Sequence, residues 1–345
     1  MHQNCPGVSR IAVIAVALLF SAVVANADTS APPFGERPGA GGPPDEVTVV
    51  LGLVDIDAIH DREQRFGIDA YIEFRWMDPR LAIHVDESTD QADRVLPISE
   101  IWNPRLTIVN DRGLSATLQQ LADVDASGNV VVRQRIAGQL AVDLDLHKFP
   151  FDKQVLALEI VSSRYSAEDI VFTADSYMID RTDQFSAKGW RYQALAPVHG
   201  SYALVETMAD SPLLRFSVRA ERDPSFYVLT LALPMLLILS MSWMAHWLPT
   251  DVAQQRLSMS TATVFSLITL GLGFRLTLPK VSYLTRADLF IIYSSILILL
   301  SLSAIVASAR WVRLDRAEDA DRLSGFVLRA FPVALLIVGA LALIG

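Results

Sequence analysis

The chain has 345 residues, 52% of them hydrophobic and 19% charged, with a formal net charge of −9. This composition excludes a collagen, a coiled coil, an intrinsically disordered chain and a basic nucleic-acid-binding protein. The charge is unevenly spread: residues 28–222 hold 19 Lys and Arg against 31 Asp and Glu, and residues 223–345 hold 9 against 7. An acidic domain of ordinary charge content is therefore followed by a strongly apolar one.

The N-terminal segment has the pattern of a secretory signal peptide, predicted over residues 1–27. Its start is short and mildly basic, residues 11–25 are apolar, and Ala25-Asn26-Ala27 fits the small-residue cleavage pattern. An uncleaved membrane anchor is the alternative, although the apolar run is short for a span. The only cysteine, Cys5, lies in this segment. The exported chain is therefore predicted to contain no disulfide.

Residues 28–44 are rich in Pro and Gly and are predicted to form a flexible leader. From residue 45 the pattern is that of strands, because apolar and polar residues alternate and turn signals recur. A hairpin is predicted around Ser127-Gly128-Asn129. The predicted strands cover residues 47–56, 66–76, 124–135, 154–161, 189–196 and 213–222. Short strands at these intervals predict an all-β domain over residues 45–222, an immunoglobulin-like antiparallel β-sandwich.

The apolar part, residues 223–345, contains four long runs without Asp, Glu, Lys or Arg. Three of them have 27, 18 and 21 residues, and the fourth has 16 residues after Arg329. Even an 18-residue helix is about 27 Å long, which is close to the thickness of the hydrocarbon core of a bilayer. The sequence therefore predicts an all-α four-helix transmembrane domain, with spans at about 225–248, 256–275, 287–309 and 325–344.

The signal peptide would place the β-domain outside the cell membrane. The connections then predicted to lie inside contain five arginines, and the outer connection contains three basic residues. This is a weak excess of positive charge on the inner side, in agreement with the direction of export. We therefore expect a multi-pass protein of the cell inner membrane with its N-terminal domain in the periplasm.

The second span is less aliphatic than the other three. It contains several hydroxyl residues, which gain nothing from facing lipid. One helical face carries Ser258, Ala262, Phe265, Thr269 and Leu272. Small and hydroxyl side chains interrupted by an aromatic ring are typical of a hydrated pore with an apolar constriction. Tight packing between helices is the alternative explanation, because small residues also let helix backbones approach each other.

An ordered series of motifs resembles the pentameric ligand-gated ion channels, the Cys-loop receptor superfamily. The two cysteines of the family's signature loop are absent, as in its bacterial cysteine-free branch, which includes a proton-gated channel. The resemblance covers nearly the whole chain from about Val47. In chain order the motifs are Trp76-Met77-Asp78-Pro79-Arg80-Leu81, Ile101-Trp102-Asn103-Pro104 with Asn110, Asp145 with Phe149-Pro150-Phe151-Asp152, Gly189-Trp190, Arg222, Leu233-Pro234-Met235, and Leu278-Pro279-Lys280 with Tyr283.

The resemblance implies a homopentameric ion channel whose outer β-domain binds the stimulus and drives the second span. The face described above would line the pore, with Gln254 added at the inner mouth. Coupling residues are implied at the junction of the two domains. There Arg222 would contact Asp145 and Asp152, and Pro150 and Phe151 would wedge against the loop that holds Pro279 and Tyr283.

The resemblance also places an agonist pocket in the outer domain. Amine-gated relatives bind a cation within an aromatic cage. Here the corresponding positions include Val109 and Ser163, which are not aromatic, and Arg164 is better suited to a carboxylate ligand. Solvated loop side chains are the alternative interpretation. The candidate binding residues are Tyr71, Val109, Ser163, Arg164, Tyr165, Tyr202 and Glu206.

Proton gating is a second possibility, because a member of the same branch is activated by acid. Asp55, Asp57 and His60, followed by Asp61, form an acidic cluster with a histidine that titrates near neutral pH. A solvated surface cluster is the alternative. The expected partners are therefore permeant inorganic ions, the lipid bilayer, and either protons or a small-molecule agonist.

Ion selectivity is open on the sequence. The inner mouth reads Gln254-Gln255-Arg256, without the acidic ring typical of cation-selective members, and Arg275 at the outer mouth resembles anion-selective ones. The acidic outer domain favours cations, so we expect cation conduction, with an anion-selective channel or a non-conducting receptor as alternatives. No motif of an enzyme, cofactor site or metal site is present, and the six histidines are scattered.

Overall fold

The computed structural model describes residues 35–83, 94–178, 184–203, 210–277 and 281–344, with side chains omitted at 175–178, 276–277 and 344. The predicted signal peptide and residues 28–34 of the predicted leader lie outside the described residues, as do Glu206 and Pro279. The described part consists of an N-terminal β-domain followed by long helices, which is the predicted fold class.

The β-domain consists of two facing sheets. One sheet has the strand order β3-β6-β7-β2-β1-β9 with β5 on β7, and the other has the order β10-β12-β8-β4 with β11 on β12. The strands are β1 Asp45–His60, β2 Arg65–Met77, β3 Arg94–Pro97, β4 Leu106–Ile108, β5 Ser115–Ala116, β6 Leu121–Val124, β7 Asn129–Ala141, β8 Lys153–Ser162, β9 Ile170–Met178, β10 Trp190–Ala194, β11 Val198–Tyr202 and β12 Ser211–Arg222. Short 3-10 turns occupy Pro79–Leu81 and Ile98–Glu100.

The core lies between the sheets, because alternate residues of each strand point inward. In β1, for example, Val47, Val49, Leu51 and Leu53 are all buried. The predicted hairpin forms between β6 and β7, and its turn needs glycine: Gly128 has φ +87°, and a Cβ there would lie 2.4 Å from the carbonyl oxygen of Asp78. The predicted strands are therefore confirmed at their approximate positions.

Five strands of the structure were not predicted: the short strands β3, β4 and β5, and the longer β9 and β11. β9 lies parallel to β1 along Asp45–Leu53, whereas the other described strand pairs are antiparallel. Parallel pairing joins segments that are distant in the chain and has no hairpin turn to announce it. The sandwich is therefore antiparallel with one parallel pair at an edge.

Four helices follow that are long and apolar enough to cross a membrane. They are called the first to fourth helix below, and they cover Ser225–Met244, Ala253–Thr277, Arg286–Arg313 and Ala317–Ile344. The first helix contains a π-helical turn at Val228–Ala232 just before Pro234, where a proline would otherwise clash with the preceding turn.

The fourth helix begins at Ala317, earlier than the predicted start of the span near residue 325. Glu318 and Asp319 lie in its first turn, where the helix dipole favours negative charge, and both pair with nearby arginines. The sequence-based span marks only the apolar part. The helix itself extends through a charged turn that precedes the predicted membrane segment.

Candidate functional site

Arg222 is the last residue of β12 and lies directly at the junction with the helices. Its side chain is buried. The guanidinium donates to Asp152 through Nε at 2.8 Å, and to both oxygens of Asp61 through Nη1 at 2.9 Å and Nη2 at 2.7 Å. Nη1 also lies 3.3 Å from the hydroxyl of Tyr227 in the first helix. One side chain thus joins the end of β1, the start of β8 and the first helix.

Aromatic rings surround the same guanidinium. Its Cζ atom lies 4.1 Å from the ring centre of Trp190, 4.9 Å from that of Phe149 and 5.5 Å from that of Tyr227, distances that allow cation–π contact. Burial lowers the pKa of Arg222, but its hydrogen bonds to Asp61 and Asp152 outweigh that effect and raise the pKa above the usual value. Arg222 therefore remains a buried cation with two carboxylate partners.

Asp145 is not one of these partners, so the expected contact between Arg222 and Asp145 is wrong. The Asp145 side chain is exposed and accepts hydrogen bonds from the backbone N–H and from Nδ1 of His147, the latter at 2.6 Å. The hydrogen bond from the His147 side chain is the main reason why the pKa of Asp145 is lowered. Asp145 starts the turn that leads to Phe149 and bonds locally, as aspartates in turns commonly do. Asp61, from the predicted acidic cluster, takes its place.

Tyr283 connects the loop after the second helix to the β-domain. Its ring stacks on His147 with 3.7 Å between the ring centres and 6° between the planes. Its hydroxyl accepts from the backbone N–H of Leu146 at 3.0 Å, and the backbone N–H of Arg286 donates to the carbonyl of His147 at 3.1 Å. Residues 278–280, between the second helix and Tyr283, lie outside the described residues.

The expected contact of Pro150 and Phe151 with the loop that holds Pro279 and Tyr283 stays a prediction, because residues 278–280 of that loop lie outside the described residues. Pro150 and Phe151 line an apolar cavity of about 200 Å³ together with Leu231 of the first helix and Phe290 of the third. The ring of Phe149 reaches the second helix. It is fully buried, 4.8 Å from Tyr227 and 6.5 Å from Phe274 between ring centres. Phe149 and Phe151 therefore both lie beside Tyr227 of the first helix, and Phe149 also reaches the second.

The second helix has two distinct faces. All the residues predicted to line a pore are exposed on the single subunit, with Phe265 66% and Leu272 61% accessible. The opposite face is buried against the other helices of the subunit and carries Arg256, Ser260, Thr263 and Leu267. The hydroxyl residues of this span therefore fall into two groups, one packed inside the subunit and one free to face another surface. The exposed hydroxyl residues are Ser258, Thr261, Ser266 and Thr269, and the exposed face also carries the other predicted pore residues, Gln254, Ala262, Phe265 and Leu272.

The predicted agonist residues lie on different elements of the β-domain. Tyr71 is on β2 and is 46% exposed, with the guanidinium of Arg135 over its ring at 5.4 Å. Arg135, which the sequence did not single out, is held by a two-pronged ion pair with Asp69 at 2.6 and 3.0 Å. Tyr71 is therefore already in contact with a cation of its own subunit.

The second group of these residues surrounds the end of β8 in the other sheet. Arg164 lies 5.7 Å from the ring centre of Tyr165, whose hydroxyl accepts from Trp102 Nε1 at 2.9 Å. Ser163 donates to the carbonyl of Arg105. Val109 is half-buried and bonds through its backbone N–H to Glu159, and Tyr202 is the last residue of β11. Within one subunit the structure therefore shows two separate groups and no closed aromatic cage among the described residues.

The acidic cluster of β1 is divided by the structure. Asp55 accepts from the backbone and side chain of Ser186 at 2.7 and 2.6 Å. Asp57 is exposed and His60 is half-buried, and only Asp61 reaches the junction. Of the four residues, Asp61 alone is thus in contact with the buried arginine. The described residues contain no group of three or more side chains that could hold a metal ion.

Comparison with protein families gives matches on both domains. Residues 34–222 match the model described as the neurotransmitter-gated ion-channel ligand binding domain. Residues 231–334 match the model described as the neurotransmitter-gated ion-channel transmembrane region. The first match alone covers more than half of the chain, and the two together span the junction built around Arg222.

Replacing a carboxylate of the junction should lower the free energy of unfolding more when the carboxylate is buried than when it is exposed. Asp152→Asn leaves the buried Arg222 with one charged partner, and breaking a buried pair costs about 3–5 kcal/mol. Asp145→Asn is the matched control, because the same change at an exposed carboxylate should cost at most about 1 kcal/mol. Thermal unfolding of the purified full-length protein should show a clearly lower Tm for Asp152→Asn alone. Equal Tm values for the two variants would contradict the assigned pairing.

Proposed function

The chain belongs to the neurotransmitter-gated ion-channel family, the pentameric Cys-loop ligand-gated channels, and we propose that five identical copies form a cation-conducting channel. It is a multi-pass membrane protein and a ligand-gated ion channel, not an enzyme. In the proposal it lies in the inner membrane with the β-domain, residues 45–222, in the periplasm. The exposed face of the second helix would then surround the ion pathway.

The division of the second helix into two faces is the observation that carries this proposal. A face on which hydroxyl groups stay exposed after the subunit has packed its own helices is better suited to water than to lipid, because each hydroxyl can form further hydrogen bonds only with water. Five copies of that face would form a hydrated path. Phe265, midway along it, would form a ring that can exclude water when the path narrows.

The inner end of the helix supports cation conduction. Arg256 is buried within its own subunit at 1% exposure, so it does not lie on the proposed pore face. The side chains that do lie there, Gln254 and Ser258, are neutral, and Asp251 just before the helix is exposed. Residues 28–222 carry a net charge of −12, which would concentrate cations above the pore.

Ion selectivity can be measured from the reversal potential. For a cation channel, a tenfold dilution of salt on one side should shift the reversal potential by close to 59 mV (about 59 mV per tenfold for one charge) towards the cation equilibrium potential. Arg275, which is exposed at the outer end of the second helix, is the specific feature that favours the anion-selective alternative. A shift of the same size towards the chloride equilibrium potential would establish that alternative. In that case Arg275→Gln should reduce the shift.

Two contacts connect the outer domain to the helices in this proposal. Arg222 ties β1 and β8 to the first helix, and the stacked pair of His147 and Tyr283 ties the β-domain to the loop after the second helix. A rearrangement of the β-domain would therefore move the first helix and the loop after the second helix together. Such a contiguous set of packed elements is the usual physical carrier of coupling.

Removing the arginine tests this coupling route. Arg222→Ala should abolish or strongly shift activation, because it leaves two carboxylates without their cation, while pentamers should still be detected by size-exclusion chromatography. Arg219→Ala is the matched control, since Arg219 is an exposed arginine on the same strand. Currents in Arg222→Ala that match those of Arg219→Ala and of the unmodified channel would rule out the coupling role.

The stimulus has two candidates with separate structural support. The guanidinium of Arg164 beside Tyr165 suits a small carboxylate ligand between subunits, because arginine binds carboxylates through paired hydrogen bonds, whereas Arg135 is already paired with Asp69. Protons are the second candidate, because protonating Asp61 or Asp152 would remove charge from the partners of Arg222.

Recordings under two conditions separate these candidates. If carboxylates open the channel, a panel of small carboxylates at neutral pH should evoke current that Arg164→Gln abolishes. If protons open it, acidification from neutral pH to about 4, which covers the reference pKa values of Asp, Glu and His, should evoke current without any ligand. Currents evoked only by amines would contradict both assignments.

A further inference from the structure

Arg256 is a buried cation at the inner end of the second helix, and it is held by groups from the rest of the bundle. Its guanidinium donates to the carbonyl of Ala245 at 3.1 Å and contacts the hydroxyls of Ser308 at 3.4 Å and Ser324. Its Nη2 also lies 3.4 Å from Nδ1 of His246. These partners follow the first helix or belong to the third and fourth, so one side chain attaches the pore helix to its own bundle.

No carboxylate balances this charge directly. Among the described residues Arg256 forms no ion pair within 4.0 Å, and Asp321, one turn before Ser324, instead accepts from Thr250 at 2.7 Å. Neutral dipoles and the carbonyl of Ala245 therefore stabilise the guanidinium. A buried charge held only by dipoles is sensitive to any further charge placed beside it.

His246, whose Nδ1 lies beside Nη2 of Arg256, is buried, with 4% exposure. Its Nε2 lies 2.9 Å from the hydroxyl of Ser301, which also accepts from Ser242. A guanidinium N–H can only donate, so Nδ1 must accept, and the ring proton must then be on Nε2. The observed contacts thus require a neutral His246.

Protonation of His246 would reverse this arrangement. Nδ1 would become a second donor facing the N–H of Arg256, and two positive charges would lie side by side in a buried region. The charged groups near the imidazole ring of His246 are Arg256 of the second helix and Asp321 of the fourth helix. Since Asp321 bonds to Thr250, it does not neutralise the pair at the observed geometry.

We propose that His246 is a proton sensor at the inner face of the membrane and that Arg256 is the positioning residue through which it acts on the pore helix. In the neutral state His246 accepts from Arg256 and the inner end of the second helix is attached to its bundle. In the protonated state the contact is repulsive and the attachment weakens. The effect on current rests on the proposed channel function and inner orientation, whereas the effect on stability does not.

The first measurement uses inside-out patches with the outer solution held at an activating condition and the inner solution stepped from pH 7.5 to 5.5. The unmodified channel should change its open probability about fivefold or more, a typical coupling free energy. His246→Gln, which stays neutral, should respond less than about twofold on the same scale. Arg256→Gln should also lose the response, because protonated His246 then meets no like charge, and a purely structural role of either residue would not remove a pH profile.

The second measurement is the Tm of the purified full-length protein between pH 7.5 and 5. The folded state opposes protonation of His246, so it binds fewer protons than the unfolded state, and stability should fall as the pH falls. This loss should be smaller in His246→Gln, with His246→Asn as a second neutral variant if the first does not fold. If no patch conducts but the Tm difference is present, the channel proposal fails and the sensor stands. Equal pH dependence of Tm and of current in the unmodified and neutral variants would overturn the sensor.

Discussion

The buried pairing of Arg222 with Asp61 and Asp152 is the interaction on which the junction of the two domains depends. Burying a guanidinium is costly unless its charge and its N–H groups are satisfied, and here two carboxylates do both: Asp61, which follows β1 of one sheet, and Asp152, which precedes β8 of the other. Because Arg222 also ends β12, the pair determines where the first helix leaves the β-domain. Trp190, Phe149 and Tyr227 close over the cation and exclude water, which strengthens the pairing.

The second helix shows that one residue type can serve two purposes within a single span. Ser260 and Thr263 are buried among the other helices, whereas Ser258 and Thr269 are exposed on the opposite side. Helix packing therefore explains the buried face of the helix, and the water-lined path is our proposal for the exposed face. Arg256 belongs to the packed face, which changes the meaning of a basic residue at the inner mouth. Its charge is directed into the bundle rather than towards permeating ions.

Periodicity predicted much of this architecture, because strand alternation and charge-free spans are local properties of the sequence. It identified the long strands, the hairpin at Gly128 and four spans close to the observed helices. Partners were harder to predict, since spacing shows which residues share a face but not which loop meets them. Asp61 was grouped with its sequence neighbours and Asp145 was assigned to Arg222, although the fold joins Asp61 to Arg222 across 161 positions. Arg135 was missed for the same reason, because β2 and β7 pair only in the folded sheet.

The distribution of charge connects the outer domain to the selectivity of the proposed pore. Ion pairs inside the β-domain do not change its net charge, because each pair contains one positive and one negative group. The net charge of residues 28–222 therefore remains −12. At the inner end the opposing arginine is buried, so the remaining opposition comes from Arg275 at the outer end. Salt limits the reach of an exposed charge to about 8 Å at physiological ionic strength. Arg275 would therefore act on ions that pass close to the five copies of its side chain, and the carboxylates of the acidic domain would act on ions that pass within a similar distance of its surface.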